Sequence, residues 1–197
     1  MSTKAFVVED DVTVGSIGSK TSVNIIDERP VTDREHSFGS FLVTSSEYGV
    51  WTLGDDHFSP KLPELLQIRL HREIVNWPTQ PETVTINLER MIVQSNQQAD
   101  LLQGVSTNGS LGPLGVAIAE LMHGKEFELD YDKSRPFVLG LIDAELTFSF
   151  VDGSVQTKKV STSKIENFSN HMDVQGREKA AVSVVDQLMN SFVKAAQ

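Results

Sequence analysis

The chain has 197 residues, a formal net charge of −10 and no cysteine. That length can bury a hydrophobic core without staples, and the missing thiols exclude disulfides, thiolate metal sites and a cysteine nucleophile. The acidic balance repels phosphate and argues against nucleic acid as a partner.

No apolar run approaches the roughly 18–20 residues needed to span a bilayer. Met1 to Asp11 lacks a basic region followed by an apolar stretch, so it does not read as a signal peptide. Two expectations fit: a cytoplasmic protein, or one whose chain starts after a removed leader.

Residues 1–20 read as an N-terminal arm or first strand, broken by Gly15, Ser16, Gly18 and Ser19. Residues 21–197 read as one α+β domain with long loops at 30–58 and 95–135. Thr21 to Asp27 is rich in β-branched residues and predicts a strand. From Glu28 to Ser59 apolar residues are scattered, and a short hairpin fits Phe41 to Leu53. Ser59 to Trp77 predicts a helix, with Ser59 as N-cap and Pro60 at the first position. Leu62, Leu65, Leu66, Leu70 and Ile74 give its apolar face, and His71 is placed on the polar side.

Thr83 to Gln94 predicts a strand, with Val84, Ile86 and Leu88 on one side. A Gly-rich loop over 95–113, a short helix over Leu114 to His123 and a strand near Phe127 to Tyr131 follow. Phe137 to Val151 is the clearest strand. Val138, Ile142, Ala144, Leu146, Phe148 and Phe150 share one face, and Asp143, Glu145, Thr147 and Ser149 the other. The alternation predicts one buried and one wet face. Asp152-Gly153 reads as a two-residue hairpin turn into Val155 to Thr162, whose Lys158 and Lys159 suit an edge. Gly176 to Ala196 predicts a second long helix with a stripe of Ala181, Val185, Leu188, Phe192 and Ala195, and with Val182 and Met189 beside it. The expected architecture is an antiparallel or mixed sheet with two long helices packed on one face.

The search for chemistry is largely negative. Gly104 to Gly115 lacks the Gly-Lys-Ser/Thr end of a phosphate loop. Asp55-Asp56-His57 offers adjacent metal donors, with oxygens at Asp10, Asp11, Asp130 and Asp132. No paired histidines or calcium loop accompany them, so no metal and no cofactor is expected. The five histidines are scattered, and no Gly-x-Ser-x-Gly elbow is present. Asp27 and Arg29, just past a strand, read as a structural ion pair. Residues 30–58 hold Phe38, Phe41, Tyr48, Trp51 and Phe58, five of fourteen aromatics. Loops favour small polar residues, so Tyr48, Trp51, Phe41 and Phe38 are candidates for a protein-contact patch, including contact with a second copy.

Val23-Asn24-Ile25-Ile26-Asp27-Glu28-Arg29, then Leu62 to Trp77, Val84 to Val93, Ile142 to Thr162 and Ala180 to Val193 form an ordered pattern. It covers about two-thirds of the chain and resembles the YajG-like bacterial envelope lipoproteins. The resemblance implies a non-enzymatic periplasmic domain, tethered to a membrane by a lipidated cysteine, that binds a protein or envelope component. The lipid-accepting Cys is absent from this chain, and the two long loops depart from the pattern. Two other expectations stand beside it. One is a cytosolic accessory or immunity-type protein, whose acidity would suit a basic target. The other is a small hydrolase using His57 or His71 with an acid.

Overall fold

A computed structural model describes residues 6–8, 20–40, 49–96, 135–170 and 173–197. The described residues form eight strands: β1 (Phe6–Val7), β2 (Ser22–Asp27), β3 (Ser37–Ser40), β4 (Gly49–Thr52), β5 (Phe58–Ser59), β6 (Thr83–Asn96), β7 (Phe137–Ser149) and β8 (Val155–Asn167). The helices are a single turn α1 (Val31–Arg34), α2 (Leu62–Ile74) and α3 (Val174–Ala196), with a 3-10 turn at Asp55–His57. The architecture is α+β. A mixed six-stranded sheet runs β3-β4-β6-β7-β8, with β2 added parallel to β6, and β1 pairs parallel with β5. One helix is long, at 23 residues; the other spans 13.

Strand β6 is the spine. Its first half pairs with β2 on one edge, its last residues pair with β4 on that same edge, and its other edge pairs with β7 throughout. A bulge between Leu88 and Arg90 resets the pleat, since one extra residue would otherwise turn the apolar set outward. The core face therefore carries Val84, Ile86 and Leu88 before the bulge and Met91 and Val93 after it, opposite Phe148, Leu146, Ala144, Ile142 and Gly140. These side chains form one apolar cluster with Leu62, Leu65, Leu66, Leu70 and Ile74 of α2 and with Ala181, Val184, Val185, Leu188, Met189 and Phe192 of α3.

Several expectations need correction. Ser59 does not cap α2: it belongs to β5, the helix begins at Leu62, and Pro63 sits at its start. The β7–β8 turn is longer than Asp152-Gly153. Phe150 N–H donates to the Ser154 carbonyl and Gly153 N–H to the Phe150 carbonyl, with Gly153 at φ +82°. Three residues thus close the turn, and glycine takes the left-handed position. Ala195 is exposed and Ala196 buried. Phe150 is only half-buried. The second face of β7 is not uniformly wet. Phe137, Leu139 and Leu141 are buried there, beside Ile92, apart from the main cluster. Phe137 to Ile142 is a continuous apolar run, the pattern of a strand buried on both faces; alternation holds only from Asp143 onward.

His71 is buried, against expectation. It and Gln67 lie four residues apart on one side of α2 and face the open edge of β2. Gln67 Nε2 donates to the Val23 carbonyl at 2.7 Å, and His71 Nε2 meets the Thr21 carbonyl at 3.1 Å. Polar side chains here cap backbone acceptors that a sheet edge would leave unpaired. The described part of 30–58 carries regular structure, since β3 pairs antiparallel with β4 and β4 joins the sheet through β6. The predicted helix at 114–123 and strand at 127–131 lie outside the described residues.

Leu146 is fully enclosed at the centre of the cluster. Leu146→Ala should lower unfolding free energy by about 2–5 kcal/mol, read by denaturant titration with unchanged m-value. Removing residues 178–197 should abolish cooperative melting, because α3 covers β7 and β8.

Candidate functional site

Arg29 is the most constrained charge among the described residues. Its side chain is 0% exposed, between Asp27 at 30% and Asp55 at 15%. Nε and Nη2 reach the two Asp27 oxygens at 2.8 Å each. Nη1 and Nη2 reach the two Asp55 oxygens at 3.0 and 2.7 Å, and Nη1 also reaches the Met91 carbonyl at 3.3 Å. All five guanidinium donors are used. The Arg29 backbone N–H bonds Asp27 Oδ1 as well, which closes a tight turn after β2. Burial alone would weaken the arginine's hold on its proton, but the two carboxylates outweigh it and drive its pKa upward. The hydrogen bonds from Arg29 hold Asp27 below the usual carboxylate range. The predicted Asp27–Arg29 pair is thus present, and Asp55 was the missing member. Nothing local relates positions 29 and 55; folding brings them together. A second pair, Arg90 Nε to Asp33 Oδ2 at 2.5 Å, fixes α1 beside the bulge.

Next to this knot lies a ring cluster. Asp55 opens the 3-10 turn that ends at His57. The His57 ring lies 4.7 Å from His36 and 6.1 Å from Phe6, His36 lies 5.4 Å from Trp51, and Phe6 lies 5.6 Å from Phe58. The approach of the two histidines depends on Gly54. A Cβ there would fall 2.6 Å from His36 N and 2.7 Å from the Arg34 carbonyl, both immovable backbone atoms. His36 Nδ1 lies 2.9 Å from the Thr52 carbonyl, which can only accept, so Nδ1 carries the hydrogen. Arg177 of α3 places its guanidinium carbon 5.7 Å from the Trp51 ring centre, within cation–π reach. Asp173 orders that turn of α3 by accepting from Gly176 N–H at 2.7 Å. Burial first, then the electrostatic influence of His36 and Arg177, holds His57 below the ordinary imidazole value against the opposing pull of the Gly54 backbone and Asp56.

Of the predicted contact residues, Trp51 is half-buried inside this cluster. Phe38 is its register partner across the β3–β4 ladder; Phe41 and Tyr48 lie outside the described residues. His36, Phe6 and Arg177 were not anticipated. They are distant in sequence, and their types carry no spacing signal. The candidate metal donors Asp55, Asp56 and His57 do not converge. Asp55 is committed to Arg29 and Asp56 to Lys61 at 2.7 Å, and no group of three metal-binding side chains occurs among the described residues. Among the described residues those same commitments leave His57 without a carboxylate to orient it, and His71 is bonded to a backbone carbonyl.

Arg29→Met should cost about 3–5 kcal/mol, because it strands two partly buried carboxylates. The triple variant R29M/D27N/D55N should recover part of that loss, measured by denaturant unfolding. Two pH effects follow. Asp27, held below its unfolded value, stabilises fully above about pH 4, and that contribution disappears as pH falls through its folded value. His57, also held low, makes the native state lose stability as pH falls below about 6.5. His57→Phe should flatten the melting-temperature profile between about pH 7 and 5 relative to wild type.

Comparison with protein-family models, with curated proteins and with solved structures finds no match for this chain.

Proposed function

We propose that this chain is a non-enzymatic binding domain that recognises a protein or envelope component through the Trp51 end of the molecule. In this reading α2 and α3 act as one helical layer over the core face of the sheet. The carrying observation is the cluster itself: a half-buried Trp51 beside an exposed His36, with Arg177 over the ring. Tryptophan and arginine in a partly desolvated setting are the residue types that dominate protein interfaces. Phe38, Phe41 and Tyr48 are the other residues of the proposed patch, on sequence grounds alone.

The envelope address rests on the resemblance to YajG-like lipoproteins. It implies a periplasmic domain attached to a membrane only through a lipid anchor outside this chain; the cytosolic accessory reading is the alternative. Metabolic labelling of the native gene product with a radioactive fatty acid separates the two. The hydrolase reading would require a nucleophile and an oriented base, and the described carboxylates nearest His57 are engaged elsewhere.

Trp51→Ala tests the patch. The expected outcome is loss of partner capture or self-association, by crosslinking and sedimentation, with a melting temperature close to wild type. A variant that melts earlier yet keeps its association state and its partner would make Trp51 a core residue and end this reading.

A further inference from the structure

We infer that the exposed half of β8 accepts an extended acidic segment of a partner protein as an added strand, with an apolar side chain of that segment entering an aromatic cavity beside it. This rests on the reading of the chain as a protein-binding domain but uses a surface at the opposite end from Trp51.

Among the described residues β8 is the last strand of the sheet and pairs only with β7. Val155 to Lys159 are exposed along their whole length, Val155 at 62%. The turn settles which backbone groups are free. Phe150 and Ser154 are joined by the hydrogen bond that closes the hairpin. Bonded pairs alternate in an antiparallel ladder, so Gln156 and Lys158 bond inward to β7. Val155, Thr157 and Lys159 then turn their N–H and C=O groups outward. The β2 edge of the same sheet is treated differently, since Gln67 and His71 cap its carbonyls. An open row of this kind is what strand addition uses.

Beside it lies a cavity of about 800 Å³, lined by Trp77, Phe148, Phe150, Gln156, Lys158 and Ala196 among others. That volume is in the range of ligand pockets. Trp77 and Phe148 meet at a tilt with ring centres 5.9 Å apart, and the Trp77 indole N–H is buried with no acceptor among the described residues. Gln156 and Lys158 line the cavity from the strand itself, so an added strand would run along its rim. Its alternate side chains would then meet a mixed site in which Trp77, Phe148 and Phe150 supply the apolar wall.

Charge selects the partner. The chain carries −10 overall, yet this edge presents Lys158 and Lys159. Among the described residues Lys159 makes only long contacts, to Glu145 and Glu89 at 3.6 and 3.9 Å. Lys158 has no ion pair among the described residues. The rim carboxylate of Asp152 is turned to its own loop, accepting from Ser154 N–H and Oγ at 2.9 and 2.6 Å. Edge lysines reject indiscriminate pairing; here they also admit acidic residues.

The test uses a fluorescein-labelled heptapeptide, Asp-Val-Asp-Phe-Asp-Val-Asp, and its counterpart with Lys for Asp, read by anisotropy on the full chain. The acidic peptide should bind and the basic one should not. Two further peptides are N-methylated on alternate amides, one set along each edge; only one should lose binding. Lys158→Glu should weaken binding about tenfold, the scale of a rim charge. Thr157→Pro, which removes an outward N–H and leaves the β7 ladder intact, should abolish binding with the sheet signal unchanged. Trp51→Ala should bind the peptide as wild type does, so failure here and failure of the Trp51 patch are separately visible. The inference is overturned if no peptide binds at millimolar concentration, or if acidic and basic peptides bind alike. It is equally overturned if both methylated peptides bind, if 3-phenylpropionate alone competes as well as the peptide, or if sedimentation shows the edge occupied by a second copy.

Discussion

The Arg29 guanidinium ties the 3-10 turn to two strands that already pair in the sheet, β2 and β6. It bonds the end of β2 through Asp27, the 3-10 turn through Asp55 and the bulged strand β6 through the Met91 carbonyl. A buried cation is tolerable only when paired and fully hydrogen-bonded, and here every donor is used. Arginine is required for geometric reasons. A lysine would bring one charge and three donors from a single nitrogen, which cannot grip two carboxylates side by side. The surplus negative charge stays near solvent, since Asp27 is the more exposed of the two acids.

From that knot the architecture follows along β6. The bulge after Leu88 serves two purposes. It keeps the apolar set on the core face, and it brings Arg90 to Asp33 and the Met91 carbonyl to Arg29. Irregular ladder geometry and buried charge therefore occur together. A bulge aims backbone groups away from the ladder, and Arg29 uses one of them.

Helix α3 links two distinct ends. Arg177, in its first turn, lies over Trp51; Ala196, at its last, lines the aromatic cavity. At 1.5 Å per residue these points are about 28 Å apart. Titratable groups gather at the first end, around His36 and His57. The second end is aromatic and edged by lysine. In the proposed binding reading the two ends offer two contacts that do not compete, and the helix between them is held by the same cluster that stabilises the fold.

Period and composition were enough to read much of this chain. The α2 stripe, the α3 stripe apart from Ala195, the core side of β6 as far as Leu88 and of β7 apart from Phe150, the edge lysines of β8 and the Asp27–Arg29 pair were all legible. Each depends on neighbours within a few residues, where helix and strand periodicity are imposed by the backbone itself. Tertiary structure alone decided the rest. Asp55 joins Arg29 across 26 positions, His71 turns inward to reach the Thr21 carbonyl, the bulge divides β6 between β2 and β4, and His36, His57, Trp51 and Arg177 converge from four separate segments. In each case an isolated polar or aromatic residue looks the same in sequence whether it ends in water or in a network. Which of the two it meets depends on chain closure over tens of residues, and local pattern carries no record of that.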